Sequence, residues 1–351
     1  MADFGFAIAG CGMIARFHAK AIADIPGARI AALVGREKSS AEKMAAELKL
    51  DGVLCTGSLD EALRAPGVDA LIVTTPSGAH LEPALAAAAL GKHVVVEKPL
   101  EISAERCDRI IAACAKAGVQ LCTIFPSRFG DANQELKRAL ESGRFGKLTL
   151  GETTVKWWRT QEYFDEGGWK GTQALDGGGA LMNQGIHNVD LLLWMMGPVE
   201  SVAGFTAMLA HERIEVEDTA VAALRFRSGA LGVIQATTSV WPGLAKTIAI
   251  HGDSGSVEIE QDDLLRWEFK GPKETDEAIR QRFGAKTGAS GGSSNPSAIS
   301  HAGHTRQLAD FIEAVRTGRA PLVDGAEGRK AVALIEAIYR SQASGKLVRP
   351  G

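Results

Sequence analysis

The chain has 351 residues, room for about two domains, and its 45% hydrophobic and 23% charged residues suit a globular protein with its own core. Its 39 basic and 42 acidic residues leave a net charge of −3, which gives no general pull toward nucleic acid or a membrane surface. The five cysteines are an odd set without metal-ligand spacing, no signal peptide is visible, and the apolar runs are too short or too broken to span a bilayer, so a reducing cytoplasm is the expected compartment.

Residues 4–9 are expected to form a short buried strand and 14–25 a helix. Between them lies Gly10-Cys11-Gly12-Met13-Ile14-Ala15, a GxGxxA turn in the strand–turn–helix context that a dinucleotide site requires. Gly10 permits the tight turn, and Gly12 lets backbone approach a pyrophosphate. Met13 and Ile14 open a helix whose free N–H groups and positive end favour phosphate. The competing reading is a glycine turn that only packs.

The second strand, 29–34, runs into Gly35-Arg36-Glu37-Lys38-Ser39. Enzymes that use NAD usually place an acid here to hold the ribose 2′-OH; Gly35 stands in its place, and Arg36 with Ser39 suits a 2′-phosphate. The expectation is NADP, with NAD left open by Glu37. A helix over 39–48 is expected, capped by Ser39 or Ser40. Next come a strand over 70–75 ending at Pro76, a helix over 81–90, and a strand over 94–97 stopped by Lys98-Pro99. A helix over 104–117 and a strand over 120–125 complete the series. Such alternation predicts a doubly wound parallel sheet over residues 1–125, with Gly10, Thr75, Lys98 and Phe125 near the carboxyl ends of its strands, where ligands collect.

Beyond Gly146 the pattern changes to longer strands: 147–158, 199–209, 219–226, 230–240 and 247–250, with Ser228-Gly229 as a hairpin turn. A helix over 180–196 interrupts them. Residues 126–351 are therefore expected to be an α+β domain with a large, mostly antiparallel sheet, so the whole chain is of the α/β class. The stretch 283–303, rich in Gly, Ser and Asn, is expected as a mobile loop. Closing helices over 304–316 and 325–344 are free to pack back on the first domain.

Lys98 sits where a proline stops a strand, which aims it toward the cleft, and a lysine there can stabilise charge on a substrate oxygen. Gly177-Gly178-Gly179 precedes a segment carrying Asn183 and His187, four apart and on one helix face. His187 fits as the base of an alcohol oxidation. Asn183 and His187 without a third ligand make a poor metal site, so no metal is expected. Asp190 either orients His187 or is solvated. Arg128 and His304 are further substrate-contact candidates, and Arg159 and Tyr163 with Trp157 or Trp158 form a possible sugar-binding wall.

This ordered set resembles the Gfo/Idh/MocA oxidoreductase family over nearly the whole chain. The matching pieces are the GxGxxA turn, Thr75-Pro76 with His80, Glu97-Lys98-Pro99, Trp169-Lys170, the glycine run to His187, and residues 318–325. The resemblance implies a Rossmann domain joined to an open-faced α/β domain. It also implies an NAD- or NADP-dependent enzyme acting on a sugar, sugar derivative or cyclitol. Lys98 would be the active-site lysine and His187 the catalytic histidine, converging over the nicotinamide. Glu97 and Pro99 would shape the nicotinamide pocket, Thr75, Pro76 and His80 the cofactor path, and Trp169 and Lys170 would lie near the nicotinamide. Position 183, often aspartate in the family, is Asn183 here, a form that resembles a subgroup including sugar-nucleotide dehydrogenases. A homo-oligomer, dimer or tetramer, is also implied.

Two alternatives stand beside the dehydrogenase. One is a glycosidase-like enzyme that oxidises its substrate transiently and eliminates; the other is a regulator that binds NAD(P) without chemistry. The regulator has no use for Lys98 and His187 together.

Overall fold

The computed structural model describes residues 3–166, 168–284 and 300–351, so Gly167 and most of the expected loop over 283–303 lie outside the described residues. The chain divides into two units, 1–126 with 300–329 and 127–299 with 330–351.

In the first unit β1 (Phe4–Ala9), α1 (Met13–Ala23), β2 (Ala28–Val34), α2 (Lys38–Leu48), β3 (Leu54–Thr56) and α3 (Leu59–Arg64) make one half. The other half is β4 (Ala70–Val73), α4 (Leu81–Ala89), β5 (His93–Val96), α5 (Ala104–Ala117) and β6 (Leu121–Thr123). The strands are short apolar runs, and β1, β4 and β6 are buried along their whole length, as covered parallel strands must be. All pairings are parallel, in the order β3-β2-β1-β4-β5-β6, so the order reverses between β1 and β4. That is the Rossmann order, and β3 and α3 complete it without an expectation from sequence. The cap of α2 is a correction: Glu37 holds the N-cap position, and the Ser40 hydroxyl instead donates to the Glu37 carbonyl.

The second unit holds α6 (Asp131–Glu141), β7 (Leu148–Lys156), α7 (Gln161–Asp165) and α8 (Ile186–Met196). Six more strands follow: β8 (Val199–Ala207), β9 (Thr219–Phe226), β10 (Leu231–Thr237), β11 (Thr247–Gly252), β12 (Gly255–Glu260) and β13 (Asp263–Phe269), then α9 (Thr275–Phe283). They form one sheet in the order β13-β12-β11-β7-β10-β9-β8, antiparallel except for the parallel β7–β10 pair. Gly229, at φ +90°, turns the β9–β10 hairpin. One face is covered by α8, which packs on β7 and β11. The other leaves Phe205 and Val221 exposed, directly opposite each other on β8 and β9, and Leu231 exposed at the start of β10 opposite Arg225.

The expected single helix over 180–196 is two pieces. Residues Ala180–Gly185 form a π-helical turn that packs on β10 and β9, and α8 begins at Ile186. Single π turns concentrate at functional sites. Two helices close the chain: α10 (Ala302–Thr317), which lies in the first unit, and α11 (Gly325–Ser344), which spans the division after Arg329. No helix among the described residues is long and apolar enough to cross a membrane.

Candidate active-site residues

In the first unit the glycine turn follows β1 at the point where strand order reverses. Gly10 is required by the fold itself. Its φ is +103°, and a Cβ there would meet the Thr74 carbonyl oxygen at 2.7 Å. Gly12 is not. Its backbone is extended, at φ −81° and ψ −169°, and a Cβ would have no neighbour within 4 Å among the described residues. A glycine the chain does not need, beside open space, fits a ligand that approaches closely. The start of α1 supports the same ligand: it has no side-chain cap and no acid in its first turn, so its free amides and positive end suit a pyrophosphate. Arg16 holds the turn from behind, donating to the carbonyls of Cys11 and Gly12 at 2.9 Å each while paired with Glu47. That residue carried no recognisable signal in sequence.

Arg36 and Ser39 are both exposed at the end of β2, where a 2′-phosphate would be met. Gly35 has a structural cause, since a Cβ there would strike the Ser40 hydroxyl at 1.9 Å.

At the ends of β4 and β5 the two motif segments are tied together. Thr75 donates its hydroxyl to the Ala79 carbonyl, and Pro76 precedes the short 3-10 turn Ser77–Ala79. His80 is buried, with Nε2 2.9 Å from the Thr75 carbonyl and Nδ1 2.9 Å from the Pro99 carbonyl. Burial lowers its pKa, outweighing the two carbonyls and Glu101, which raise it. The placement corrects the expectation of a cofactor contact: the ring braces Thr75 and Pro99 instead of facing a ligand.

Glu97 is also corrected. Its carboxylate turns into the core, where Oε1 lies 2.6 Å from His18 Nε2 on α1 and Oε2 accepts the Lys98 backbone N–H at 3.1 Å. Burial pushes the Glu97 carboxyl up, but His18, His304 and Lys98 outweigh it and hold the carboxyl low. His304, from α10, stands 3.9 Å from the same oxygen and is buried. It faces this core cluster, so it is no substrate contact, and burial with His18 beside it lowers its pKa to about 4. The trio has metal-ligating residue types, yet its geometry is that of a hydrogen bond. Ligands of one tetrahedral ion stand about 3.4 Å apart, and liganding histidines pass their second N–H to a partner. Here one pair is at 2.6 Å, and neither His18 Nδ1 nor His304 Nδ1 has a hydrogen-bond partner among the described residues.

In the second unit residues 180–196 are buried all round except Asn183, His187 and Trp194, which keep partial exposure. Two polar side chains thus interrupt an otherwise buried stretch. The segment is anchored by Glu217, which sequence reasoning missed. Its carboxylate accepts the N–H groups of Gly179 and Leu181 at 2.9 and 2.8 Å and the Tyr339 hydroxyl at 3.0 Å. Burial raises the Glu217 pKa against these donors. Asp176, also missed, is buried and accepts the Asn183 Nδ2 at 2.6 Å and the Gly171 N–H at 2.8 Å.

Tyr163 gathers two cations. Lys170 Nζ lies 3.8 Å over its ring and Arg159 Cζ 5.4 Å from the ring centre, while Gln184 donates to its hydroxyl at 3.4 Å. Burial lowers the pKa of both Arg159 and Lys170. Trp169 is half-buried, and its carbonyl accepts the Thr172 hydroxyl. Two expectations fail here. Arg128 is buried and grips Asp190 bidentately at 2.8 and 2.6 Å, so it is a core residue and not a substrate contact. Asp190 is buried and accepts from both of these Arg128 nitrogens, so it is not solvated.

Comparison with known proteins agrees with this geometry. Residues 4–125 match the model of an oxidoreductase family with an NAD-binding Rossmann fold, and residues 133–258 match the GFO/IDH/MocA C-terminal domain. The WlbA dehydrogenase of Bordetella pertussis, solved with NADH and UDP-GlcNAcA, is 36% identical with a TM-score of 0.88, covering 99% of this chain and 98% of that one. The WlbA dehydrogenase of Chromobacterium violaceum, solved with the same two ligands, is 34% identical with a TM-score of 0.87, covering 99% and 96%. The myo-inositol 2-dehydrogenase of Thermotoga maritima is 28% identical over 95% of both chains.

Proposed function

The chain belongs to the GFO/IDH/MocA family of NAD-binding oxidoreductases acting on CH–OH groups of sugars and cyclitols, and from that premise we propose that it transfers a hydride between a nicotinamide dinucleotide and a secondary carbinol of a nucleotide-linked acidic sugar, UDP-GlcNAcA being the first candidate. The observation that carries the reading is the pairing of a glycine turn left open at Gly12 with a buried helical segment that opens only at polar or aromatic positions, Asn183 and His187 foremost. The bound dinucleotide supplies the hydride acceptor or donor. His187 takes the hydroxyl proton as the alcohol is oxidised and returns it in the reverse direction. Lys98 hydrogen-bonds the same oxygen and offsets its growing negative charge. Asn183 holds a neighbouring hydroxyl.

Two observations support the acidic, nucleotide-linked substrate. Lys170, partly exposed over the Tyr163 ring with Asp176 as a nearby counter-charge, supplies a cation suited to a sugar carboxylate. The two WlbA relatives named above were solved with UDP-GlcNAcA. The same structures hold NADH, which supports NAD(H) as the working cofactor, and exposed Arg36 with Ser39 gives tolerance of a 2′-phosphate. The exposed pair Phe205 and Val221, opposite each other on β8 and β9, supports self-association through the second sheet.

The test is a substrate panel followed by nicotinamide absorbance with both cofactors: UDP-GlcNAcA, UDP-GlcNAc, free sugars and inositols. Net cofactor reduction with UDP-GlcNAcA, at least ten-fold faster than with uncharged UDP-GlcNAc, is expected. Equal rates with the two nucleotide sugars would remove the carboxylate assignment. No net cofactor turnover with any substrate would remove the dehydrogenase. An NAD preference unchanged by Arg36→Ala would remove the 2′-phosphate role of Arg36.

A further inference from the structure

We propose that Asp176 is a positioning residue that sets the sense of the Asn183 amide and makes position 183 incompatible with aspartate; this rests on the dehydrogenase reading of the site. A carboxylate accepts hydrogen bonds and donates none, whereas an amide does both. The Asp176 carboxylate, 2.6 Å from Asn183, therefore admits only the amide nitrogen at that contact. The amide oxygen of Asn183 is thereby turned to the opposite side of the group. That arrangement removes the usual ambiguity between the two ends of an amide. Asp176 is itself locked, because its second oxygen accepts the Gly171 N–H and its own backbone N–H donates to the Thr172 carbonyl at 3.0 Å. Asn183 is locked too, on a π-helical turn whose first amides are gripped by Glu217. The result is an amide of fixed sense one helical turn before His187.

The same geometry selects an amide over a carboxylate at position 183. Asn183→Asp would bring two carboxylate oxygens to the separation now spanned by an N–H···O bond. Like charges at that distance cannot both ionise, so one proton would be shared. Lys170, Tyr163 on α7 and Tyr339 on α11 are among the charged and titratable groups that face Asp176. Lys170 is the cation of these three near neutral pH, and it is already drawn to Asp176 and to Glu166.

The experiment compares wild type, Asn183→Asp, Asp176→Asn and the exchanged double variant. Thermal midpoints from pH 5 to 9 are read on all four without ligand, and kcat/KM for UDP-GlcNAcA oxidation over the same range. For Asn183→Asp a midpoint that drops as pH rises, and a kcat/KM at least ten-fold below wild type at pH 8 with a smaller deficit at pH 5.5, are expected. The exchange should restore the wild-type midpoint profile and bring kcat/KM to within ten-fold of wild type. A pH-independent midpoint in Asn183→Asp would overturn the proposal, as would an exchanged variant no better than either single one. Restored stability without restored turnover would also overturn it. If wild type turns over nothing in the panel, the dehydrogenase reading fails, while the midpoint profiles still decide whether the pair demands one carboxylate and one amide.

Discussion

His18 Nε2 lies 2.6 Å from Glu97 Oε1, so the helix that begins at the glycine turn is fastened to the residue immediately before Lys98. Glu97 passes the constraint on through the Lys98 backbone N–H. One buried contact thereby links two parts of the first unit that sequence alone assigns to separate tasks, the turn that cradles phosphate and the lysine that meets the substrate.

His304 makes that region sensitive to acid. Its pKa, about 4, lies below the usual value near 6.5, because the buried ring resists charge. The unfolded chain therefore binds the proton first. The penalty is absent above pH 6.5, grows as pH falls from there toward 4, and reaches on the order of 3 kcal/mol. We expect His304→Gln to flatten this part of the stability profile, measured by urea unfolding between pH 4 and 7.5. Identical slopes in the two proteins would refute the assignment.

The two glycines of the turn should separate cleanly. Gly10→Ala forces a side chain into a left-handed conformation and against Thr74, and should cost about 1–3 kcal/mol of stability. Gly12→Val adds its side chain from a Cβ that meets no atom of the described residues within 4 Å and needs no left-handed backbone, so its unfolding midpoint should stay close to wild type while NADH binding, followed by fluorescence, weakens at least ten-fold. Normal NADH affinity in Gly12→Val would sink the phosphate-cradle reading.

Lys98→Ala and His187→Ala should each lower kcat by about 10²–10⁴-fold, the range for losing a positioned proton-transfer or charge-stabilising group, and leave the NADH dissociation constant within a few-fold. Near-normal turnover in both would end the proposed roles.

Asp276 ties the far end of the second sheet. It accepts both Arg144 nitrogens at 2.6 and 2.7 Å, together with Trp267 Nε1 and the Lys273 N–H. Arg144 leads the donors that hold its carboxyl far below the usual carboxylate range. The stabilisation is complete above the unfolded pKa near 4 and is lost only as pH falls below it. Asp276→Asn, which leaves Arg144 buried without its counter-charge, should cost about 3–5 kcal/mol at pH 7. A denaturation midpoint unchanged at that pH would contradict this.

Much of the scaffold is legible without coordinates. Apolar runs bounded by glycine and proline mark β1, β4 and β5, and the turn at Gly10 and Gly12 is visible as a local pattern. So are Lys98 before Pro99 and His187 four residues beyond Asn183. Strands β12 and β13 were not anticipated, because their mixed polar sequence gains its strand character from pairing with β11 and with each other. The π turn at Ala180–Gly185 has no sequence signature either. Arg128 and His304 were misassigned for a related cause: a charged or titratable residue reads as available until its partner is known, and Asp190 and Glu97 are far away in sequence.

By itself, then, the order of residues determined the alternation of strands and helices, the parallel sheet of the first unit and the residue types offered for hydride transfer, because these follow from side-chain period and backbone limits acting over a few neighbours. Only the tertiary structure decided that Glu97 faces His18, that Asp176 faces Asn183 and that Glu217 caps the π turn. Hydrogen bonds between residues remote along the chain depend on where folding brings them, and no local pattern encodes that.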